Sequence, residues 1–325
     1  MRRSISIIVS AVLLVLLYAV VDLRALASAI RSADLFWLGV GLVMVIPLTV
    51  ATAWRFTALV MGAQVGFGEA NRLVLASSTL NLFLPSKLGD LAKAYVLSAK
   101  HGMNVELAFS VVVFEKALDM TSLLLWGAFA TVYVGLSRPE MMVAAIPVVG
   151  LFVVVLAMIL PLPAFPNLIR LVGAWLPQRF AARVERFAEG TAKVAAWYWR
   201  TPMRAAGVLV LSIVLWGAHL LQFWFFTRAV GGMVPLLDNM AFATLSILVG
   251  LLPFTLAGIG SRDVAIVYFF APYLAPGAGA FLGILATLRY VLPAIAGVPF
   301  LGDLAKAAAS ERSRRSTAAR SGGDK

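Results

Sequence analysis

Residues 81–93 read NLFLPSKLGDLAK and interrupt an otherwise apolar chain with a proline, a glycine and three ionisable side chains. Residues 253–263 read PFTLAGIGSRD and interrupt the chain a second time in the same way. Between these two breaks, a long apolar run carries Glu115, Lys116 and Asp119 near its middle. Ionisable residues are costly inside a bilayer, so their presence in such segments indicates a functional site. Interrupted apolar segments in two halves of a chain are typical of a site between inverted repeats.

The composition predicts an all-α integral membrane protein. Of its 325 residues 62% are hydrophobic, whereas soluble domains contain about 45–50% apolar residues. The net charge of +12 would suggest a nucleic-acid partner for a soluble protein, but here it indicates basic loops that face an anionic membrane surface. The chain contains no cysteine, and its only histidines, His101 and His219, have no metal-ligand partner at a useful spacing. We therefore expect no nucleic acid, no metal and no cofactor.

The apolar pattern predicts a helical bundle of about six full spans plus two broken or re-entrant helical hairpins. The predicted spans are Ile5–Val21, Leu35–Met61, Val105–Gly135, Met142–Leu160, Ala205–Phe226 and Gly279–Leu301. The helices on either side of each break, such as Asn71–Leu84, are too short to cross about 30 Å of hydrocarbon. Two hairpins that enter from opposite sides would form an inverted repeat. The alternative is that both broken pairs cross the membrane fully.

Basic residues predict the orientation, because cytoplasmic loops carry an excess of lysine and arginine. They place both termini and the segment 164–202 in the cytoplasm, with a polytopic membrane domain over residues 1–305 of a protein in the cell inner membrane. We expect residues 306–325 to be a disordered basic tail.

The segment 164–202 contains apolar residues at helical spacing, among them Val184, Phe187, Val194 and Tyr198, with basic residues on other faces. This pattern favours an amphipathic helix that lies on an anionic membrane surface. The alternative is a solvated connector helix.

The candidate substrate-binding residues are the polar residues and break glycines that lie within apolar segments. They are Arg55, Asn81, Ser86, Lys87, Asp90, Lys93, Glu115, Lys116, Asp119, Gly258, Gly260, Ser261, Arg262, Asp263 and Arg289. Taken as one site, the charges balance except for two surplus positive charges contributed by Arg55 and Arg289. Surplus arginine suits a phosphate group, because the guanidinium fork matches its oxygens. No catalytic residue is assigned.

The backbone at both breaks is also suited to binding an anion. Gly258, Gly260 and Ser261 lead directly into a new half-helix, and Ser86 and Asp90 begin the corresponding half-helix after the first break. Free N–H groups at a helix start, together with the helix dipole, form an anion site. The alternative is that the breaks are ordinary turns whose charges pair at the surface.

The chain resembles the lysylphosphatidylglycerol synthase transmembrane region, the flippase-like integral membrane family, over nearly its whole length. The resemblance is carried by the order and spacing of Trp54-Arg55, Asn81…Pro85-Ser86…Gly89-Asp90…Lys93, Glu115-Lys116…Asp119, Pro253…Gly258-Ile259-Gly260…Asp263 and Arg289-Tyr290…Pro293…Gly297. Lys93 and Lys116 stand where arginine is commoner in such proteins, and Asp90 and Asp263 where glutamate is common. Lysine preserves the charge but loses the bidentate fork.

The resemblance implies movement of a phospholipid or a polyprenyl-phosphate-linked lipid across the inner membrane, with these motifs lining the path. Bifunctional members carry a soluble aminoacyl-transferase domain after the membrane region. We expect that synthase activity to be absent, because the chain ends shortly after the last span.

Two alternative functions remain. One is a membrane-embedded transferase that acts on a lipid phosphate with Glu115, Asp119 or Asp90 as the base. The other is a non-catalytic partner that docks a lipid-modifying enzyme.

Overall fold

The structure is a computed structural model that describes residues 23–84, 89–252, 255, 258–302, 304–306 and 309. Every regular element of these residues is a helix, which confirms the predicted all-α fold. Several predicted features lie outside the described residues: the first span Ile5–Val21, the break residues Pro85, Ser86, Lys87 and Pro253, and the tail from residue 310 onward.

Thirteen α-helices follow one another along the described residues. They are α1 (Leu23–Arg31), α2 (Leu35–Val43), α3 (Val45–Thr57), α4 (Phe67–Phe83), α5 (Ala92–His101), α6 (Val105–Ser137), α7 (Ala145–Ile159), α8 (Ala164–Gly173), α9 (Ala181–Tyr198), α10 (Pro202–Ala229), α11 (Leu236–Gly250), α12 (Ser261–Phe270) and α13 (Pro276–Gly297).

Five helical segments of the described residues are long and apolar enough to cross a membrane. They are Leu35–Thr57, Val105–Ser137, Pro139–Ile159, Pro202–Ala229 and Pro276–Phe300. These segments correspond to all the predicted spans except Ile5–Val21. The first of them is a pair of helices, α2 and α3, with a joint at Met44. Pro47 follows that joint and lacks the N–H that would continue the helical hydrogen bonding there.

One end of the bundle, which we call the basic end, carries the arginines of α9 and of the start of α10. There Arg204 Nη2 donates to the carbonyl of Ala58 at 3.0 Å, and Arg186 Nε lies 3.5 Å from a carboxylate oxygen of Glu106. The end of α3, the start of α6 and the start of α10 therefore meet at the basic end.

The opposite end, which we call the far end, is fixed by two other contacts. The N–H of Asp34 donates to the carbonyl of Ala229 at 2.9 Å, and the hydroxyl of Tyr133 donates to Asp238 at 2.6 Å. The start of α2, the end of α10, the end of α6 and the start of α11 therefore meet at the far end. Successive spans run in opposite directions between the two ends.

Each broken pair returns to the end at which it begins. In the first pair, Glu69 near the start of α4 lies 3.5 Å from Lys100 and 3.2 Å from His101 at the end of α5. In the second pair, the hydroxyl of Tyr273, just after α12, donates to Asp238 near the start of α11. The α4–α5 pair opens at the basic end and the α11–α12 pair at the far end. Both broken pairs therefore form hairpins, and whether each hairpin is re-entrant or crosses the membrane with both arms stays a prediction.

The order of span, hairpin and span occurs twice, in opposite directions. The first half consists of α2–α3, the α4–α5 hairpin and α6, and the second half consists of α10, the α11–α12 hairpin and α13. A hydrophobic core surrounds each hairpin: Leu97 and Leu118 are fully buried in one core, and Ile266 and Leu282 in the other. This is the arrangement that an inverted repeat predicts.

The helix predicted from the spacing of Val184, Phe187, Val194 and Tyr198 is α9, and the segment 164–202 also contains α8, which packs against α9. Arg170 of α8 holds Glu185 of α9 through hydrogen bonds of 2.8–3.1 Å, and these bonds lower the pKa of the Glu185 carboxyl. The apolar face of α9 packs on α6, where Gly190 lies against Ser110. The exposed apolar side chains are instead on and just after α8, among them Trp175. Contact of the segment 164–202 with a membrane surface stays a prediction.

Cysteine labelling tests the hairpin arrangement, since the chain contains no cysteine. Gly68→Cys and Lys100→Cys flank the first hairpin, and we expect both to react with a membrane-impermeant maleimide from the same side as Arg186→Cys, the cytoplasm. Met233→Cys, at the far end and 78% exposed, should react only from the other side. Reaction of Gly68→Cys and Lys100→Cys from opposite sides would show that the α4–α5 pair does not return to the side on which it begins.

Candidate functional site

Six of the candidate charges form one chain of alternating sign in the first half, which we call the charge hexad. Its members, in order of contact, are Arg55, Asp119, Lys116, Asp90, Lys93 and Glu115. The nitrogen-to-oxygen distances along this chain are 2.6, 3.1, 3.1, 3.2 and 3.0 Å. Three cations face three anions, so the hexad has no net charge.

Elements distant in the sequence supply the hexad. The residues of α6 lie three and four positions apart and therefore share a helix face, as their spacing predicts. Lys93 reaches them from α5 and is 1% exposed, while its partner Glu115 is 0% exposed. Asp90 comes from the turn before α5 and accepts from the side-chain amide of Asn81 at 3.1 Å. This contact joins the two arms of the first hairpin, and the ion pair of Asp90 with Lys116 joins them to α6.

Arg55 attaches two further spans to the hexad. It lies on α3, is 2% exposed, and donates from Nη1 to the hydroxyl of Ser212 on α10 at 3.0 Å. Sequence reasoning did not single out Ser212, because one serine in an apolar run gives no signal by itself. Arg55 is therefore part of the buried network, although it lies near the end of α3.

Arg262, Asp263 and Arg289 form a separate cluster in the second half. Arg262 Nη2 donates to Asp263 at 3.1 Å and to the hydroxyl of Thr287 at 2.6 Å. Within the described residues, neither Arg262 nor Arg289 forms an ion pair with a carboxylate of α6. The charges of the described residues thus form two groups of contacts, one in each half of the repeat, and their action as a single site stays a prediction.

The predicted backbone anion site at the second break is partly filled by the chain itself. The Asp263 carboxylate accepts from the N–H of Gly260 at 2.9 Å, and the Ser261 hydroxyl lies 2.7 Å from the hydroxyl of Thr255. Gly258 and Gly260 have φ angles of +77° and +95°, which glycine adopts without the strain that other residues meet. The second break therefore contains a tight turn at Gly258 and Gly260, and the Asp263 carboxylate caps the N-terminus of α12. Whether Ser86 faces Ser261 stays a prediction, since Ser86 lies outside the described residues.

Arg289 is the least compensated charge of the second cluster. It is 4% exposed, donates from Nη2 to the Tyr290 hydroxyl at 2.5 Å, and lies 4.8 Å from the ring centre of Phe223. Its Nε and Nη1 atoms meet no hydrogen-bond acceptor in the part of the chain that the structure describes. With two arginines and one aspartate, this cluster has a net charge of +1. Nothing local in the sequence indicates the contact between Phe223 and Arg289.

The residues described by the structure include no group of three histidine, aspartate or glutamate side chains that could bind a metal ion. The hexad carboxylates are instead paired with lysine and arginine.

Removing one partner of the Lys93–Glu115 pair should destabilise the protein more than removing both. Lys93→Met leaves Glu115 buried without its cation, and Glu115→Gln leaves Lys93 with Asp90 alone and the hexad with a net charge. For each single variant we expect a loss of about 3–5 kcal/mol in the free energy of unfolding. The double variant keeps the hexad neutral and should recover much of this loss.

Unfolding of the purified protein in detergent measures these differences. The matched control is Lys193→Met, because Lys193 is 68% exposed and lies 3.8 Å from Glu189; it should change stability by less than about 0.5 kcal/mol. If the double variant is as unstable as the sum of the two single variants, the pair is not coupled as described.

Both clusters lie within the region that comparison with known proteins matches. The family model for the lysylphosphatidylglycerol synthase TM region matches residues 3–297. A similar relative is described as a UPF0104 membrane protein of Methanothermobacter thermautotrophicus. It is 22% identical over an alignment of length 326, which covers 93% of this chain and 96% of the relative. These matches confirm the resemblance inferred from the motifs. The chain, a multi-pass protein of apolar helices, belongs to the lysylphosphatidylglycerol synthase transmembrane-region family.

Proposed function

We propose that this protein is a flippase-like transporter that moves a phospholipid or a polyprenyl-phosphate-linked lipid across the membrane. In this proposal the lipid phosphate binds beside Arg289, while the acyl or prenyl chains remain in the bilayer. Membership of a membrane family named for a lipid synthase supports a role connected with lipids.

The observation that carries the proposal is the buried, uncompensated charge of Arg289. This residue lies near the middle of the span Pro276–Phe300, is 4% exposed, and has two nitrogen atoms without an acceptor among the described residues. An ionised group in a low-dielectric interior is costly unless it is paired and hydrogen-bonded. An anionic ligand would supply both the missing charge and the missing acceptors.

A phosphate fits this position better than a smaller anion. Its oxygens match the planar guanidinium fork, and such charge-assisted bonds are short and strong. Arg262 lies in the same cluster, and its Nε also lacks an acceptor among the described residues. A phosphate that reached both arginines would be bound by donors from α12 and α13 together. Bonds to the phosphate would replace part of the hydration that a headgroup loses within the bilayer.

The inverted repeat gives this site a means of facing each side of the membrane in turn. The charge hexad joins α3, α5, α6 and, through Ser212, α10. The Arg289 site is built from α10, α12 and α13. Rocking of one half against the other is the common mechanism of alternating access in inverted-repeat transporters. We infer that α10, which contacts both clusters, lies at the boundary between the moving units.

Lipid exchange in liposomes tests the proposal. The purified protein should speed the movement of at least one fluorescent phosphate lipid between leaflets, and it should not speed that of diacylglycerol, which lacks phosphate. Arg289→Gln should slow this exchange at least about tenfold, because a hydrogen bond to a charged group contributes about 1.5–3 kcal/mol and 1.4 kcal/mol is a factor of ten.

The matched control is Arg228→Gln. Arg228 also lies near two aromatic rings, 5.9 Å from Trp37 and 5.6 Å from Trp224, but it is at the far end of α10. We expect exchange within twofold of the unmodified protein, about 0.4 kcal/mol. The proposal is wrong if Arg289→Gln exchanges every phosphate lipid that the unmodified protein accepts at an unchanged rate. Transfer of a sugar or aminoacyl group to the lipid by the unmodified protein would favour a transferase instead.

A further inference from the structure

A second polar site lies at the basic end, where the first hairpin meets the last span. A cavity of about 340 Å³ is lined there by Glu69, Arg72 and Leu73 of α4, Lys100 of α5, and Phe300 just after α13. It is separate from both charge clusters. Phe300 lies eleven residues after Arg289, about 16 Å along the helix axis at 1.5 Å per residue.

The cavity lining has a surplus of positive charge. Arg72 is exposed and forms no ion pair within the described residues. Lys100 is 49% exposed and lies 3.5 Å from Glu69 Oε1. Two cations and one carboxylate leave a charge of +1, while Leu73 and Phe300 provide an apolar wall. An anionic group attached to an apolar chain is the kind of ligand that matches such a lining.

Glu69 adds a specific requirement to this lining. Its Oε2 atom lies 3.2 Å from His101 Nε2. Its Oε1 atom is shielded from solvent and accepts no hydrogen bond from the described residues, its nearest cation being Lys100 Nζ at 3.5 Å. A buried acceptor whose hydrogen bond is not made is costly. A ligand that brings an N–H or O–H group next to its phosphate would satisfy Oε1 while Arg72 and Lys100 hold the phosphate.

We propose that this cavity binds the headgroup of a phospholipid that carries a hydrogen-bond donor, an amine or a hydroxyl, beside its phosphate. The apolar wall lies against the first part of the lipid tail. This inference rests on the proposed function for its role, which is to hold the headgroup at the basic end before or after it reaches Arg289. The binding itself depends only on the cavity residues.

Binding of short-chain lipids to the purified full-length protein tests the inference, and the Arg289→Gln variant serves as the host to remove the deeper site. Calorimetric titration should detect binding of dihexanoyl phosphatidylethanolamine. Dihexanoyl phosphatidylcholine, whose headgroup has the same phosphate but no N–H donor, should bind several-fold more weakly. Inorganic phosphate tests whether the phosphate alone suffices, and it should bind more weakly than either lipid because it lacks the apolar chain.

Variants of the lining locate the binding. Arg72→Gln with Lys100→Gln should weaken phosphatidylethanolamine binding at least about tenfold, because charge-assisted bonds to the phosphate are lost. Glu69→Gln should remove the preference for phosphatidylethanolamine over phosphatidylcholine. Lys193→Gln, also at the basic end but outside the cavity, should leave both affinities unchanged.

Unchanged binding in the Arg72→Gln/Lys100→Gln variant overturns the cavity proposal, whatever exchange assays show for Arg289. An equal affinity for the two lipids overturns the role of Glu69. Tighter binding of inorganic phosphate than of either lipid would identify a phosphate site rather than a lipid site. Loss of exchange in Arg289→Gln together with intact cavity binding supports both sites, whereas intact exchange with intact cavity binding overturns only the Arg289 proposal.

Discussion

The buried ion pair between Lys93 and Glu115 sets the depth of the first hairpin. Neither residue has more than 1% of its side chain exposed, and a buried charge is costly unless it is paired, so Glu115 depends on Lys93 for its cation. α5 must therefore lie beside the middle of α6 and cannot slide by a turn. Because α4 continues into α5 through the break, this pairing also determines where α4 meets α13, at the contact between Thr79 and Ala294.

The two halves of the repeat share an order of elements but differ in their charge balance. In the first half, every cation of the hexad faces a carboxylate, so the cluster stabilises helix positions and offers no surplus charge to a ligand. In the second half, Asp263 caps its own helix and pairs with Arg262, which leaves Arg289 without a carboxylate partner in the described residues. The two charge clusters thus differ: the neutral hexad holds helices in place, whereas the Arg289 cluster retains a positive charge that suits an anion.

The sequence alone predicted the helical class, both hairpins and the charged face of α6. These features depend on local spacing and on apolar length, which a single chain displays directly. The division of the charges into two clusters could not be predicted in this way, because it depends on pairs such as Arg55 with Asp119 and Phe223 with Arg289, from helices far apart in the chain. The cap at Gly260 was locally visible, as an acid three residues into a helix, but Asp263 was counted as free charge instead.

The net charge of each cluster determines how the transmembrane voltage acts on it. Displacing the neutral hexad within the membrane does no electrical work, whereas one elementary charge carried across 100 mV involves about 2.3 kcal/mol. The Arg289 cluster, with its charge of +1, would experience this force when empty. A phosphodiester with a charge of −1 would cancel the charge of the cluster, so the voltage would not affect movement of the occupied site. The return of the empty site would still depend on the voltage. In the transport cycle that we propose, the membrane potential would then bias the resting position of the empty protein rather than the passage of the lipid.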